Sequence, residues 1–289
     1  MPDLAFTKMH GLGNDFVVIQ DLAEEWDLTP AAIMLLCERH FGIGADGVLI
    51  VRNPTSAEAD YRMLYYNADG SQAEMCGNGV RCFAKYLVDR QMVAGDVLTI
   101  ETLGGLKRVE VVRDYDGTMA TATVDMGEPK LAPADIPTTL PGAQVYECPI
   151  ETEYGTLRVT AVSMGNPHAV IWVDDVDETP VETIGPAVEN HPAFPSKTNV
   201  EFAEVVGGGE DRIRLRVWER GVGETMACGT GACATLVAAV LGCRTERAAT
   251  VELPGGELFV RWDEGDHVFM TGPAAEVFTG MLRVPEEDE

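Results

Sequence analysis

Short runs of alternating or clustered apolar residues, bounded by Gly, Pro, Asn or Asp, recur along the chain. The first set is VVIQD, GVLIV, YRMLYY, VLTIE, RVEVV and ATATVDM; the second is HAVIWV, VEFAEVV, IRLRVWE, TVELP, ELFVRW and HVFMTG. Both sets predict β-strands. One helix pattern interrupts each set. Val80, Phe83, Ala84, Leu87 and Val88 fall at i, i+3, i+4, i+7 and i+8, the period of an amphipathic helix. Ala232, Leu236, Ala239 and Val240 hold the corresponding places in a segment that is apolar nearly all round, as a helix wrapped in sheet would be. A smaller helix is expected near Pro30 to His40.

The two sets are in register. MCGNGVRCFA, from residue 75, and ACGTGACATL, from residue 227, each hold a cysteine boxed by glycines at a helix start, and 152 residues separate Cys76 from Cys228. The same offset carries Gly13-Asn14 onto Gly165-Asn166, Gly47 onto Asn199 and Asn67 onto Glu219; a one-residue slip carries ETLGGL onto ELPGGE. So many correspondences in one order point to an internal duplication. The expected fold is α+β: two pseudo-symmetric domains, each a curved, barrel-like, mixed or antiparallel sheet around a central helix, with the active site in the cleft between them. The Pro-rich, weakly periodic stretch 125–142 marks the boundary. The domains are read as 1–128, completed by the C-terminal strand 274–289, and 129–273.

At 289 residues and 46% hydrophobic, the chain can fill a substantial core. MPDLAFTKMHGLG shows no basic patch followed by an apolar run, and 232–243 is too short to span a bilayer, so a soluble cytoplasmic protein is expected. Forty-seven acids against 21 bases give a formal charge of −26. Such a surface disfavours nucleic acid and anionic membranes as partners. It repels itself too, unless salt shortens the Debye length to about 3 Å near 1 M, which points to a high-salt cytosol. The plainer reading is an ordinary acidic protein with a solvated carboxylate face.

Seven cysteines, an odd number, argue against a disulfide framework. No C-x-x-C pair occurs and no His stands at ligand spacing from a Cys, so no metal site is expected. A lone buried cysteine is usually a small core residue, and Cys37, Cys82, Cys148, Cys233 and Cys243 are read so. Cys76 and Cys228 differ because their sockets match. A helix mouth offers unpaired N–H groups and a positive dipole end, which favour thiolate, and the flanking glycines let an anion such as a carboxylate approach. Two acid/base groups on opposite sides of one carbon, one taking a proton and the other returning one, are what inverting a stereocentre requires. The pair therefore suits a racemase or epimerase acting on a small molecule. Facing thiols would also suit a non-enzymatic dithiol redox sensor.

The strings FTKMHGLGNDF, YNADGSQAEMCGNGVRC, SMGNPHAV, NVEF and ERGVGETMACGTGACA resemble the diaminopimelate epimerases over nearly the whole chain. The resemblance implies interconversion of LL- and meso-2,6-diaminopimelate on the route to lysine, without pyridoxal phosphate or metal, in a protein that is commonly a homodimer. It implies that Cys76 and Cys228 are the acid/base thiols and that His168 and Glu219 tune them. Backbone N–H groups at Gly77, Asn78, Gly229 and Thr230 would hold the carboxylate at the reacting carbon. Asn14, Asn67, Asn166, Asn199, Glu219 and Arg220 would grip the rest of the substrate. Gly47 departs from relatives that carry Gln there, so a side-chain contact is not expected at that place. Proline racemases and phenazine-pathway isomerases share such a duplicated design, but GLGNDF, NPHAV and ERGVGET argue against both. His10, His40, His191 and His267 are expected to be structural or exposed.

Overall fold

The computed structural model describes residues 3–207 and 211–283. The chain divides into two compact units, Met1–Val124 with Gly272–Glu289, and Asp125–Thr271.

Among the described residues, the sheet of the first unit runs in the order Ala275–Arg283, Asp3–Gly11, Asn14–Gln20, Gly47–Arg52, Tyr61–Asn67, Val97–Thr102, Gly105–Arg113 and Met119–Gly127. Two of its pairings are parallel, Asn14–Gln20 with Gly47–Arg52 and Tyr61–Asn67 with Val97–Thr102. Helix α1 (Pro30–Cys37) precedes the first parallel partner, and α2 (Gly77–Asp89) precedes the second. Thr29 starts α1 by accepting the Ala32 N–H, and Pro30 sits where no amide donor is needed.

The second unit repeats this plan. Its order is Cys148–Thr152, Gly155–Ser163, Pro167–Trp172, Asn199–Val206, Arg212–Glu219, Ala248–Leu253, Gly256–Trp262 and Val268–Gly272, with parallel pairings in the same two places. Helices α3 (Val181–Glu189) and α4 (Gly229–Leu241) fill the corresponding crossovers. Phe16 lies opposite Gly47 in the first unit, and His168 opposite Asn199 in the second, each displaced by the same 152 positions. The two edge strands come from different places in the chain. Cys148–Thr152 directly precedes its neighbour, whereas the matching strand of the first unit is Ala275–Arg283, which pairs antiparallel with Asp3–Gly11 from Asp3↔Arg283 to His10↔Ala275. The last part of the expected closing segment, 284–289, lies outside the described residues.

Both sheets are covered on two faces, so their central strands read as continuous apolar runs rather than alternations. Val48 and Ile50 pack with Val17, Ile19 and α1 residues Ile33 and Leu36. Leu49, between them, turns to the other face and meets the first turn of α2 at Gly79. Val200 and Phe202 likewise pack with Ala169, Ile171 and α3 residues Val181 and Val188. That arrangement sends Asn199 and Glu201 to the face that carries α4. Both long helices are almost wholly enclosed, α2 from Gly77 to Val88 except Lys85, and α4 from Gly229 to Ala239 except Thr230. Among the described residues no helix is long and apolar enough to cross a membrane.

Candidate active site

In the first unit Cys76 is the N-cap residue of α2, in extended backbone at φ −138°, and its side chain makes no capping bond. It is half-buried. Its thiol points to Asn14 Oδ1 at 3.7 Å, and Asn78 Nδ2–H donates to the same oxygen at 3.1 Å. The Asn14 amide is fixed from behind, since its Nδ2–H donates to Asp46 Oδ2 at 2.8 Å and Arg39 bridges Asp46 to Asp15. Asp46 therefore decides that Asn14 shows Cys76 an oxygen. An oxygen of this kind only accepts, so it serves the protonated thiol. Asn67 Nδ2–H donates to Ser71 Oγ at 3.0 Å. A side chain at Gly47 would begin 2.6 Å from Tyr66 O and 2.8 Å from the Tyr65 ring, which leaves no room for the Gln of some relatives.

In the second unit Cys228 caps α4 in the same extended geometry and is 5% exposed. Its sulfur lies 3.5 Å from Thr230 Oγ1, which accepts from Asn166 Nδ2–H at 3.3 Å. Asn166 Oδ1 lies 3.0 Å from His168 Nε2, and His168 Nδ1 lies 2.6 Å from Glu201 Oε1. Glu219 accepts from the Thr225 hydroxyl at 2.6 Å. Asn199 spends its amide on the backbone: Nδ2–H donates to Pro167 O at 2.9 Å and Oδ1 accepts the Arg220 N–H at 2.9 Å. The exposed Arg220 guanidinium donates to Ser196 O at 2.9 Å.

The expectation of a lowered thiol pKa fails at Cys228. Burial pushes this thiol well above its ordinary value, the carboxyls of Glu219 and Glu201 push the same way, and Thr230 opposes them. Magnitudes explain the outcome. A helix N-terminus contributes about 0.3–1 kcal/mol, less than the roughly 1.4 kcal/mol that one pKa unit represents, whereas full burial can move a group by about 3–5 units. Glu219 is raised by burial, against the Thr225 hydroxyl and His168. Glu201, fully enclosed, is also raised by burial, against His168. Burial and the neighbouring carboxyls thus favour Cys228 as the thiol.

The other cysteines divide. Cys37, Cys82 and Cys233 are buried, and burial pushes Cys37 up to about 11 and Cys82 to about 12, so these two remain inert thiols. Cys148 is half-buried and packs against the core of the second unit, whereas Cys243 is exposed and is not the core residue expected. Cys243 follows the last turn of α4 in left-handed backbone at φ 53°, which carries it away from the helix's packed face. Among the described residues no three His, Cys, Asp or Glu side chains converge as a metal set would.

Two helix starts, each with a cysteine and an Asn from a Gly-Asn turn, repeat one motif in two units. The profile described as "Diaminopimelate epimerase" matches residues 6–132 and 160–277, which include both motifs. The chain belongs to the diaminopimelate epimerase family. A relative of that name from Pelotomaculum thermopropionicum is 51% identical over 278 residues, covering 95% of this chain and 97% of that one. Another from Heliobacterium modesticaldum is 48% identical over 286 residues, covering 96% and 99%. The fold is shared more widely. A hydroxyproline epimerase from Agrobacterium vitis, solved with bound trans-4-hydroxy-L-proline, superposes with a TM-score of 0.74 at 15% identity, covering 99% of this chain and 94% of that one. A phenazine biosynthesis protein of the PhzF family from Bacillus anthracis gives 0.70 at 16% identity, covering 98% and 100%.

Within this diaminopimelate epimerase family member, each unit gathers its own share of the expected residues. Cys76, Asn14 and Asn78 meet in the first unit; Cys228, Thr230, Asn166 and His168 meet in the second. Asp46 and Glu201 were not anticipated. Asp46 directly precedes Gly47 and Glu201 lies inside NVEF, but neither touches a cysteine-bearing turn by sequence spacing.

Proposed function

We propose that this protein interconverts LL- and meso-2,6-diaminopimelate, with Cys76 and Cys228 exchanging the roles of acid and base. The observation that carries the reading is the repeated socket: a cysteine at the N-cap of an enclosed helix, followed by Gly-Asn-Gly in one unit and Gly-Thr-Gly in the other. Inversion at a tetrahedral carbon needs a base on one face and an acid on the other. Each unit supplies one sulfur. The thiolate of one cysteine takes the α-proton, the C–H electron pair is shared between the α-carbon and the carboxylate oxygens, and the S–H of the other cysteine delivers a proton to the opposite face of the α-carbon. The reverse reaction exchanges the two.

Removing an α-proton without an electron sink is hard, so the developing negative charge must be met by fixed dipoles. On this reading the N–H groups of Gly77, Asn78, Gly229 and Thr230 hold the reacting carboxylate, and the two helix dipoles stabilise the carbanion-like state. Asn14, Asn67, Asn166 and Asn199 define the walls, His168 and Glu219 tune Cys228, and Arg220 grips the distal carboxylate in a bidentate manner. No pyridoxal phosphate or metal enters the cycle. The enzyme works in the cytoplasm as a homodimer, in lysine biosynthesis, and its charge of −26 suits a saline interior.

The test is incubation of the reduced protein with LL-diaminopimelate while the meso isomer is followed by chiral chromatography. Wild type is expected to reach an equilibrium mixture, and Cys76→Ala and Cys228→Ala each to lose turnover. Undiminished turnover in both variants would rule out the two-thiol mechanism.

A further inference from the structure

Glu201 reaches the groups assigned above through one hydrogen bond, to His168, and its placement is specific. It is fully enclosed beneath the first turn of α4, and its Oε1 sits 2.6 Å from His168 Nδ1, itself fully enclosed. The corresponding places in the first half, 152 positions earlier, are Leu49 and Phe16. The backbone thus accepts an apolar pair here, and the buried acid and imidazole are not required to build the strands. Buried polar groups of this kind cost stability unless they are satisfied, so their presence calls for a task.

The polarity of the hydrogen bonds supplies one. Asn166 Oδ1 can only accept, so His168 Nε2, 3.0 Å away, must carry a hydrogen. That holds whether Glu201 is a neutral acid donating to a bare Nδ1 or a carboxylate facing an imidazolium. With Oδ1 occupied in this way, Asn166 turns its Nδ2–H to Thr230 Oγ1 at 3.3 Å. The hydroxyl keeps its own hydrogen and a lone pair for Cys228 Sγ at 3.5 Å, so it can donate to a thiolate and accept from a thiol. The first half runs the other way: Asp46 takes the Asn14 Nδ2–H, and Cys76 meets the amide oxygen.

We propose that Glu201 is a positioning residue: through His168 it fixes the orientation of the Asn166 amide, and so keeps the Thr230 hydroxyl available to both protonation states of Cys228. This rests on the epimerase reading above and adds to it a residue that touches no substrate.

Two variants separate positioning from packing. Glu201→Gln can still donate an N–H to Nδ1 and is expected to keep kcat within about threefold. Glu201→Leu copies the first half, removes a buried polar group and leaves Nδ1 without a partner. It is expected to fold with a lowered Tm, because the Nδ1 it orphans is buried, while kcat falls about five- to tenfold, no more than the loss of one hydrogen bond at Cys228 allows. The ¹⁵N spectrum of the His168 ring, assigned by its loss in His168→Phe, gives a readout independent of turnover. Protonated Nε2 is expected in wild type and in Glu201→Gln, and a shift of the proton toward Nδ1 in Glu201→Leu. If Glu201→Leu does not fold, the double variant His168→Phe with Glu201→Leu, which installs the whole apolar pair, takes its place for kcat and Tm. Unchanged kcat in a folded Leu variant, an equal loss in the Gln variant, or a wild-type ring protonated at Nδ1 alone would each overturn the proposal. A wild-type protein without epimerase activity would instead sink the functional reading and leave the ring spectrum to decide Glu201.

Discussion

Gly231 and Glu201 stand so close that a methyl group on the glycine would begin 3.0 Å from Glu201 Oε1 and 3.3 Å from Cys228 Sγ. The matching Gly79 would place its methyl 3.3 Å from Leu49 Cδ2, a side-chain tip that can rotate, and 3.5 Å from Cys76 Cβ. In helix terms each Gly→Ala change gains about 0.5–1 kcal/mol. Gly231→Ala should therefore retain its Tm while losing turnover, because the methyl displaces either the sulfur or the carboxyl beneath it. Gly79→Ala should lose less. Parallel kcat and thermal-melt measurements on the two variants check this; equal activity in both would contradict it.

Thr230→Val keeps the shape of the side chain and removes the hydroxyl that joins Asn166 to Cys228. One neutral hydrogen bond contributes about 0.5–1.5 kcal/mol, so kcat should fall by up to roughly tenfold. The backbone N–H proposed to hold the carboxylate is untouched, so KM should move little. Steady-state kinetics in both directions measure the split, and a rise in KM at constant kcat would place the hydroxyl in substrate binding instead.

His267 lies 2.8 Å from Asp125, and this bond raises the imidazole pKa above its ordinary 6.5. A raised pKa means that the folded state binds the proton more tightly than the unfolded chain. The stabilisation is therefore complete below about pH 6.5 and is lost as pH rises through the folded value. Denaturant melts of wild type and His267→Gln should differ at pH 5.5 and converge at high pH. A difference that grows with pH would contradict the assignment.

The formal charge of −26 makes self-repulsion a salt-sensitive cost to stability. Raising KCl from 0.1 to 1 M shortens the Debye length from about 10 Å to about 3 Å and should raise Tm steadily. Calorimetry across that range measures it. A flat response would identify the acidic residues as an ordinary solvated face.

Most of the α+β plan could be read from the chain because its strands are central and doubly covered, so that GVLIV and VEFAEVV stand out as apolar runs. The strand Asp3–Gly11 was harder to see, since Lys8 breaks its apolar pattern and is buried by pairing with Asp15 and donating to Gly44 O. Helix α3 was hidden by Gly185 and Pro186 inside a single short span. The cysteines and the asparagines announced themselves through repeated local strings. Glu201 did not, because a carboxyl between Val200 and Phe202 reads as the solvent side of a half-covered strand until α4 is known to lie over it. Its meaning depends on register with His168, which no local string records. The thiol pKa went astray for the related reason that a helix mouth is visible in sequence while the depth of burial around it is not.

The fate of solvent deuterium at the earliest times of turnover tests the two-thiol mechanism most directly. LL-diaminopimelate is mixed with the enzyme in D₂O, and product and residual substrate are separated and their label measured by mass spectrometry before one-tenth has converted. If one cysteine removes the α-proton and the other delivers deuterium to the opposite face, label enters the meso product while recovered LL substrate stays unlabelled. Label entering recovered LL substrate as fast as it enters product, or product that retains the original proton, would mean that a single group works both faces.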